Sequence, residues 1–419
     1  VTPRVVIVGT LDTKGPEVAY MRDRLIELGC TTTVIDVGIL GEPLGIVPDI
    51  DHGEVARFAN STIGEVRQAG TRGRAVAVMR RGVQSLMTDL YRRGKVDAAI
   101  GLGGAEGAVM GAAALMVLPI GVPKVVLSPI ASGRHEFGPL VGTSDMMVVH
   151  SVVDIMGLNR VATTVFDNVV VAVAAMAANP RQLVADDPDT RLVGVTMLGN
   201  TTKAVMALRD RLAEHGYEAV VFHSNGVGGP AMEELATAGH FVGIVDFTTN
   251  EVTDPMVGGI HDGGPRRLRT IGELGLPQIV VPGCIDFSVF ASGQVPPELA
   301  DRPTYDHNPE YTLVRTPKGQ MEAVGQLFAE RLNPARGPVA MAIPTGGLSI
   351  PNVPDGLFWD PVADGAFVDS LRTGLRPDIT VHTFAHHVND PSFGEIVADL
   401  FVELLDATAV STAQLERTT

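Results

Sequence analysis

Cysteine is nearly absent. Cys30 and Cys284 are the only two in 419 residues, too few and too distant for a disulfide framework, and no CxxC pair offers zinc ligands. A reducing compartment is expected. Basic runs are missing too: clusters such as Arg80-Arg81 and Arg92-Arg93 are short, and the formal net charge is −16. Without a basic face to neutralise phosphates, nucleic acid is not an expected partner. No charged segment and apolar core of a leader precede the first apolar run, VVIVGT, and the stretch VVVAVAAMAA at 169–178 is shorter than the ~20 residues a bilayer requires. The reading is a cytoplasmic protein with no membrane partner, its apolar stretch a buried helix. HExxH and GK[ST] are absent as well, which excludes the common zinc-protease and P-loop signatures.

What is present is core-forming sequence. With 45% hydrophobic and only 19% charged residues, the chain can bury large cores and should divide into about two domains. β-Branched runs alternate with helical segments: VVIVGT (5–10), TTVIDVG (32–38), DAAIGLGG (97–104), KVVLSPIAS (124–132) and MMVVHS (146–151). A first helix is predicted near Pro16–Leu28, closed by Gly29. Near-continuous apolar strands separated by helices indicate a parallel sheet covered on both faces.

The polar, proline-containing segment NPRQLVADDPDT (179–190) reads as a linker. Beyond it the alternation resumes with RLVGVTMLG (191–199), EAVVFHS (218–224), FVGIVDFT (241–248), PQIVVPGCIDF (277–287), VAMAIPT (339–345) and DITVHTFAHH (378–387). A last helix is predicted from about Ser392 to Leu405. The expected fold is α/β: two doubly wound, Rossmann-like lobes with mainly parallel sheets facing a shared cleft. Their bounds are 1–184 and 185–410, with 411–419 a frayed tail.

Ligand chemistry is expected where parallel strands end. In the first turn, Thr10, Asp12 and Lys14 offer hydroxyl, carboxylate and ammonium groups at a helix start, as an anion cradle or as a helix cap with a surface lysine. Gly103 and Gly104 open the next such turn, where Glu106 stands in the place of the third glycine of a dinucleotide fingerprint. Ser132 and Gly133, then Thr143, Ser144 and Asp145, suit a ribose, a phosphate or a hydrated Mg²⁺, and equally suit ordinary turns.

In the second lobe, His223 ends a strand, Gly228 and Gly229 follow in a glycine-rich loop, and Glu233 lies in the next helix. A base, an orienting carboxylate and oxyanion donors is one reading; a polar loop with a dipole-paired glutamate is the other. Cys284 and Asp286, His307 and His386 lie in further loops and complete the candidate catalytic set. None has metal-ligand spacing, so a metal stays unassigned.

The ordered blocks GTLDTKG, GLGG, LPIGVPKVVLS, GTSD, FHSNGVGGPAMEEL, DFTTNEV, PGCIDF, HNPEYTLVRT, DGLFWDP and HHVNDPSFGE run along nearly the whole chain. In these the chain resembles the ATP-binding domain family of the tomato mosaic virus resistance protein. The resemblance implies two α/β lobes, a tendency to form a homodimer, and nucleotide contacts at Thr10, Asp12, Lys14, Gly103, Gly104, Ser132, Gly133, Thr143, Ser144 and Asp145. The chain departs from the family at Ala105-Glu106-Gly107-Ala108, where hydroxyls are lost and a negative charge opposes a phosphate, and at Pro344-Thr345-Gly346-Gly347, which lacks a lysine.

The leading expectation is therefore an ATP-binding protein, with Mg²⁺, that acts on a small metabolite. An ATP-independent hydrolase or lyase using His223, with Glu233 or Asp286 as its orienting partner, is the alternative. A non-catalytic metabolite-sensing or partner-binding module is the third reading.

Overall fold

A computed structural model describes residues 2–131, 140–180 and 190–418, with side chains to 407. In β1 (Arg4–Gly9), Val6 and Val8 enter one core while Val5 and Ile7 enter another. That period of two on a strand apolar throughout requires helices on both faces, and α/β layering supplies them. Two compact units result, Val1–Val184 and Ala185–Thr419.

The first unit runs β1, α1 (Leu11–Glu27), β2 (Thr31–Asp36), α2 (His52–Phe58), α3 (Ile63–Arg67), α4 (Arg72–Arg92), β3 (Ala98–Leu102), α5 (Ala105–Met116), β4 (Lys124–Ser128), β5 (Met147–His150) and α6 (Arg160–Ala178). Its strands are parallel in the order β2-β1-β3-β4-β5. Helix α1 begins at Leu11, earlier than the sequence suggests, because Pro16 lies within it just after a kink at Lys14 (φ −124°). The apolar run at 169–178 belongs to a helix of 19 residues, which by length and composition alone is sufficient to cross a membrane. Its Phe166, Val169, Val170 and Val173 are buried in the core with Val5, Ile7 and Ile100, as a core helix requires.

The second unit runs β6 (Arg191–Met197), α7 (Thr202–Glu214), β7 (Tyr217–His223), α8 (Gly228–Thr237), β8 (Gly243–Thr248), α9 (Arg269–Leu274), β9 (Gln278–Gly283), β10 (Phe287–Ala291), β11 (Thr304–Asp306), β12 (Tyr311–Arg315), α10 (Lys318–Leu332), β13 (Val339–Pro344), α11 (Pro361–Gly374), β14 (Thr380–Phe384) and α12 (Pro391–Thr418). Six strands form a parallel sheet in the order β14-β13-β9-β8-β6-β7.

Two sequence expectations are corrected here. PQIVVPGCIDF is not one strand: Cys284 takes φ +63°, the chain turns, and β10 and β11 flank β12 in an antiparallel sheet that the sequence reading missed. The last helix also continues well past Leu405 to Thr418, through the segment read as a frayed tail.

Candidate functional sites

In both sheets the second strand lies on one side of the first and the third on the other, so each has a switch point, at β1/β3 and at β6/β8. Crevices at the carboxyl ends of such strands are where open α/β sheets take ligands. Each unit has a pocket there.

In the first unit the pocket encloses 340 Å³ and is lined by Thr10, Asp12, Thr13 and Lys14 from the β1–α1 turn and Gly104, Glu106 and Gly107 from the β3–α5 turn. Neither Thr10 nor Gly104 caps its helix with its own side chain, so both helix N-termini face one space, the first with its Leu11 N–H given to the buried Asp36 Oδ1 at 3.0 Å. Asp12 Oδ2 accepts from the backbone N–H groups of Leu40 and Gly41 at 3.0 and 3.2 Å, which fixes the loop after β2 over the pocket. Lys14 Nζ donates to the Ile155 carbonyl. Glu106, the residue that opposes a phosphate, is paired with Arg72 at 2.6 Å. Arg72 also lines the pocket, a cation the sequence reading missed.

Gly103 lies just behind, where a Cβ would come 2.6 Å from Gly107 Cα; Gly104 has open space. Thr143, Ser144 and Asp145 do not join this group. They precede β5, and loops that precede parallel strands lie at the opposite sheet edge from loops that follow them. Asp145 instead accepts from the buried Lys124 at 2.5 Å and from Gly121 N at 2.8 Å, anchoring the start of β4. Ser132 and Gly133 lie outside the described residues.

In the second unit a 410 Å³ pocket gathers His223, His307, His261, Asn200, Asn225, Asn308 and Tyr311 against a wall of Leu198, Ile260, Val289 and Leu313. The antiparallel sheet delivers His307 and Tyr311 on the β11–β12 connection. Gly199 leaves room beneath: a Cβ there would stand 3.9 Å from His307 Nε2. His261 was not singled out from the sequence. It is buried, Asn250 Nδ2 donates to its Nδ1 at 3.0 Å, and its ring meets Tyr311 edge-on. Burial, with His223 nearby, pushes its pKa down to about 4, so the ring is neutral, and with Nδ1 accepting from Asn250 Nδ2 the proton falls to Nε2.

The other proposed catalytic residues face elsewhere. Glu233 accepts from Leu268 N at 2.8 Å and belongs to a buried cluster in which Arg267 also meets Asp246 and Glu251. Gly229 N donates to Glu251 Oε1 at 3.2 Å, so it is engaged within the fold and offers no ready oxyanion donor. Gly228 packs where a Cβ would lie 2.0 Å from the His223 carbonyl oxygen, a close approach that calls for glycine. Cys284 is fully buried and its thiol is pushed well above the ordinary range by desolvation, which keeps it un-ionised. Asp286 is buried with it and accepts from Ser349 Oγ at 2.6 Å. His386 stacks on Phe393 and is not among the pocket-lining residues. Among the described residues no group of three His, Cys, Asp or Glu side chains is placed to hold a metal ion.

Behind His261, Asp254 is buried and accepts from His261 N at 2.9 Å; burial pushes its carboxyl up to about 8. Its folded value exceeds its ordinary 3.8, so its contribution to stability is complete below pH ~4 and fades as pH rises towards 8, by up to ~1.4 kcal/mol per unit. His261, depressed from 6.5 to about 4, acts with the opposite sign between those values, so of this pair Asp254 is the one that acts above pH 6.5. Urea titrations are expected to show stability falling from pH 6.5 to 8 in the wild type and a flatter profile in Asp254→Asn. Equal slopes would mean that the carboxyl is ionised.

Comparison with known proteins matches residues 3–182 to the N-terminal domain and 190–405 to the C-terminal domain of the uncharacterised protein family UPF0261. A UPF0261 protein of Clostridium tetani is 35% identical over 406 residues, covering 96% of this chain and 99% of that protein. A Rhizobium meliloti member is 36% identical, covering 94% and 96%. The tomato ToMV resistance protein Tm-1 is 33% identical over 96% of this chain, which spans 56% of the tomato protein.

Among solved structures, a UDP-N-acetylglucosamine 2-epimerase is similar at 11% identity, covering 90% of this chain and 92% of that one, with a TM-score of 0.24. A Streptomyces glycosyltransferase complexed with thymidine diphosphate reaches 13% identity, 94% and 98% coverage and a TM-score of 0.17. Scores that low carry no argument about activity. Matched by both domain profiles and by full-length relatives, the chain belongs to the UPF0261 family.

Proposed function

We propose that the first unit binds a nucleoside phosphate, ATP with Mg²⁺ in the leading case, as part of an enzyme acting on a small metabolite. One observation carries this reading: the β1–α1 and β3–α5 turns, with two helix N-termini, meet at the switch point of the sheet in one pocket. Phosphate oxygens at that point take backbone N–H groups, and Lys14 and Arg72 supply cations.

Glu106 opposes the phosphate only while its charge is uncompensated. Arg72 offsets that charge in a surface ion pair, and the same guanidinium can meet a phosphate oxygen while it stays on Glu106, although the carboxylate competes for it. Mg²⁺ would arrive with the phosphates, with Asp12 the nearby carboxylate.

Calorimetry with Mg-ATP is expected to show about tenfold weaker binding for Lys14→Ala and for Arg72→Ala, since a charge-assisted hydrogen bond contributes ~1.5 kcal/mol or more. Glu106→Ser is expected to bind more tightly than wild type. Affinities unchanged in all three variants would overturn the assignment.

A further inference from the structure

The pocket at the carboxyl ends of β6 and β7 has no role in the nucleotide reading, and its lining has an unusual polarity. Among the described residues its lining contains no Lys, Arg, Asp or Glu. Its three asparagines each spend their carbonyl oxygen on backbone: Asn200 Oδ1 accepts from Ile350 N at 3.0 Å, Asn225 Oδ1 from Val227 N at 3.3 Å, and Asn308 Oδ1 from Tyr311 N at 2.8 Å. In each the amide Nδ2 is the half left for a ligand. His261 is held the same way, its Nδ1 accepting from Asn250, so that Nε2 is a donor. A pocket whose fixed polar groups are biased towards donation is complementary to an acceptor-only group.

Phosphate would bring close to two negative charges, and no lining side chain among the described residues carries a permanent cation to meet them. A carboxylate brings one, spread over two oxygens, and the aliphatic wall of Leu198, Val289 and Leu313 suits a short apolar body. We propose that this pocket binds a small monocarboxylate, its oxygens held by the donor groups of the asparagines and histidines and its carbon chain laid on that wall. The second unit thereby has a ligand site of its own.

The test is calorimetry at pH 7 of the full chain with acetate, butyrate, hexanoate and benzoate, and with butyramide and inorganic phosphate as comparators. Binding of at least one carboxylate is expected, with butyramide and phosphate at least tenfold weaker than the best of them. His307→Ala and Asn225→Ala change exposed loop residues and are expected to weaken carboxylate binding at least fivefold, with the melting temperature and Mg-ATP affinity unchanged. Silence across the carboxylates, phosphate or butyramide binding as tightly as the best carboxylate, or full affinity in both variants would each overturn the proposal. Because Mg-ATP is read in the same variants, failure of the carboxylate site and failure of the nucleotide site are separate results.

Discussion

Arg267→Met is expected to destabilise the second unit by ~3–5 kcal/mol, the range for stripping one partner from a buried ion cluster, and to lower its melting temperature by roughly 10 °C. The Arg267 side chain is wholly buried, with Nη2 to Asp246 Oδ1 at 2.7 Å, Nε to Glu251 Oε2 at 2.7 Å and Nη1 within 3.4 Å of Glu233. Met fills similar volume, so the cost is electrostatic: three carboxylates lose the guanidinium they share.

Part of that cost is relieved by protonation, and Glu233, already pushed up by desolvation, is the group placed to take it. Arg267→Met should therefore lose less stability at pH 5 than at pH 7. Glu233→Gln, which leaves Asp246 and Glu251 on the guanidinium, should cost much less than Arg267→Met at pH 7. Equal melting of Arg267→Met and wild type would show that the cluster is not the anchor of the glycine-rich loop, which Glu251 holds through Gly226 and Gly229.

The second large effect concerns a pair of adjacent glycines with different surroundings. At Gly103 an added Cβ would stand 2.6 Å from Gly107 Cα and 2.7 Å from its carbonyl carbon, backbone atoms that no rotamer change can move aside. Gly103→Ala must push α5 off β3, at ~1–3 kcal/mol by the usual cost of overpacking, and it displaces the helix N-terminus that faces the pocket. Mg-ATP affinity should fall at least tenfold. Gly104→Ala is the control for stability, because among the described residues nothing lies within 4 Å of its Cβ position and its φ of −64° suits any residue. Parallel loss of stability in both variants would mean that the helix–sheet contact is looser than this spacing implies.

Strands and turns were legible because their signals are local. The runs around Val5–Val8 and Val193–Val195 are apolar on both faces, and Thr10, Lys14, Gly103 and Gly104 follow strands directly, so both the parallel sheets and the β1/β3 turns could be read. What was missed depends on distant partners. Arg72 begins a helix far from Glu106 in sequence, and nothing local marks it as the cation at that turn. His261 sits in a loop whose composition resembles any other; its burial comes from β10 and the β11–β12 connection, which was hidden because a left-handed residue at Cys284 ends what looks like a continuous apolar run.

Asp145 was misplaced for a related reason. The loops before and after a parallel strand share the same Gly, Ser, Thr and Asp composition, yet they lie at opposite edges of the sheet. Glu233 and Asp286 show a third limit: spacing brings a carboxylate near a histidine along the chain without deciding which way the side chain turns, and here both are held inward by Leu268 and Ser349.

Amide hydrogen exchange of the full chain with and without Mg-ATP locates the nucleotide directly. Slower exchange confined to peptides covering Thr10–Gly15 and Gly103–Ala108 is the expected result, since those amides lie at the two helix N-termini of the first-unit pocket. No change in those peptides at saturating nucleotide, or protection confined to the second unit, would contradict the assignment of the phosphate site to the β1/β3 switch point.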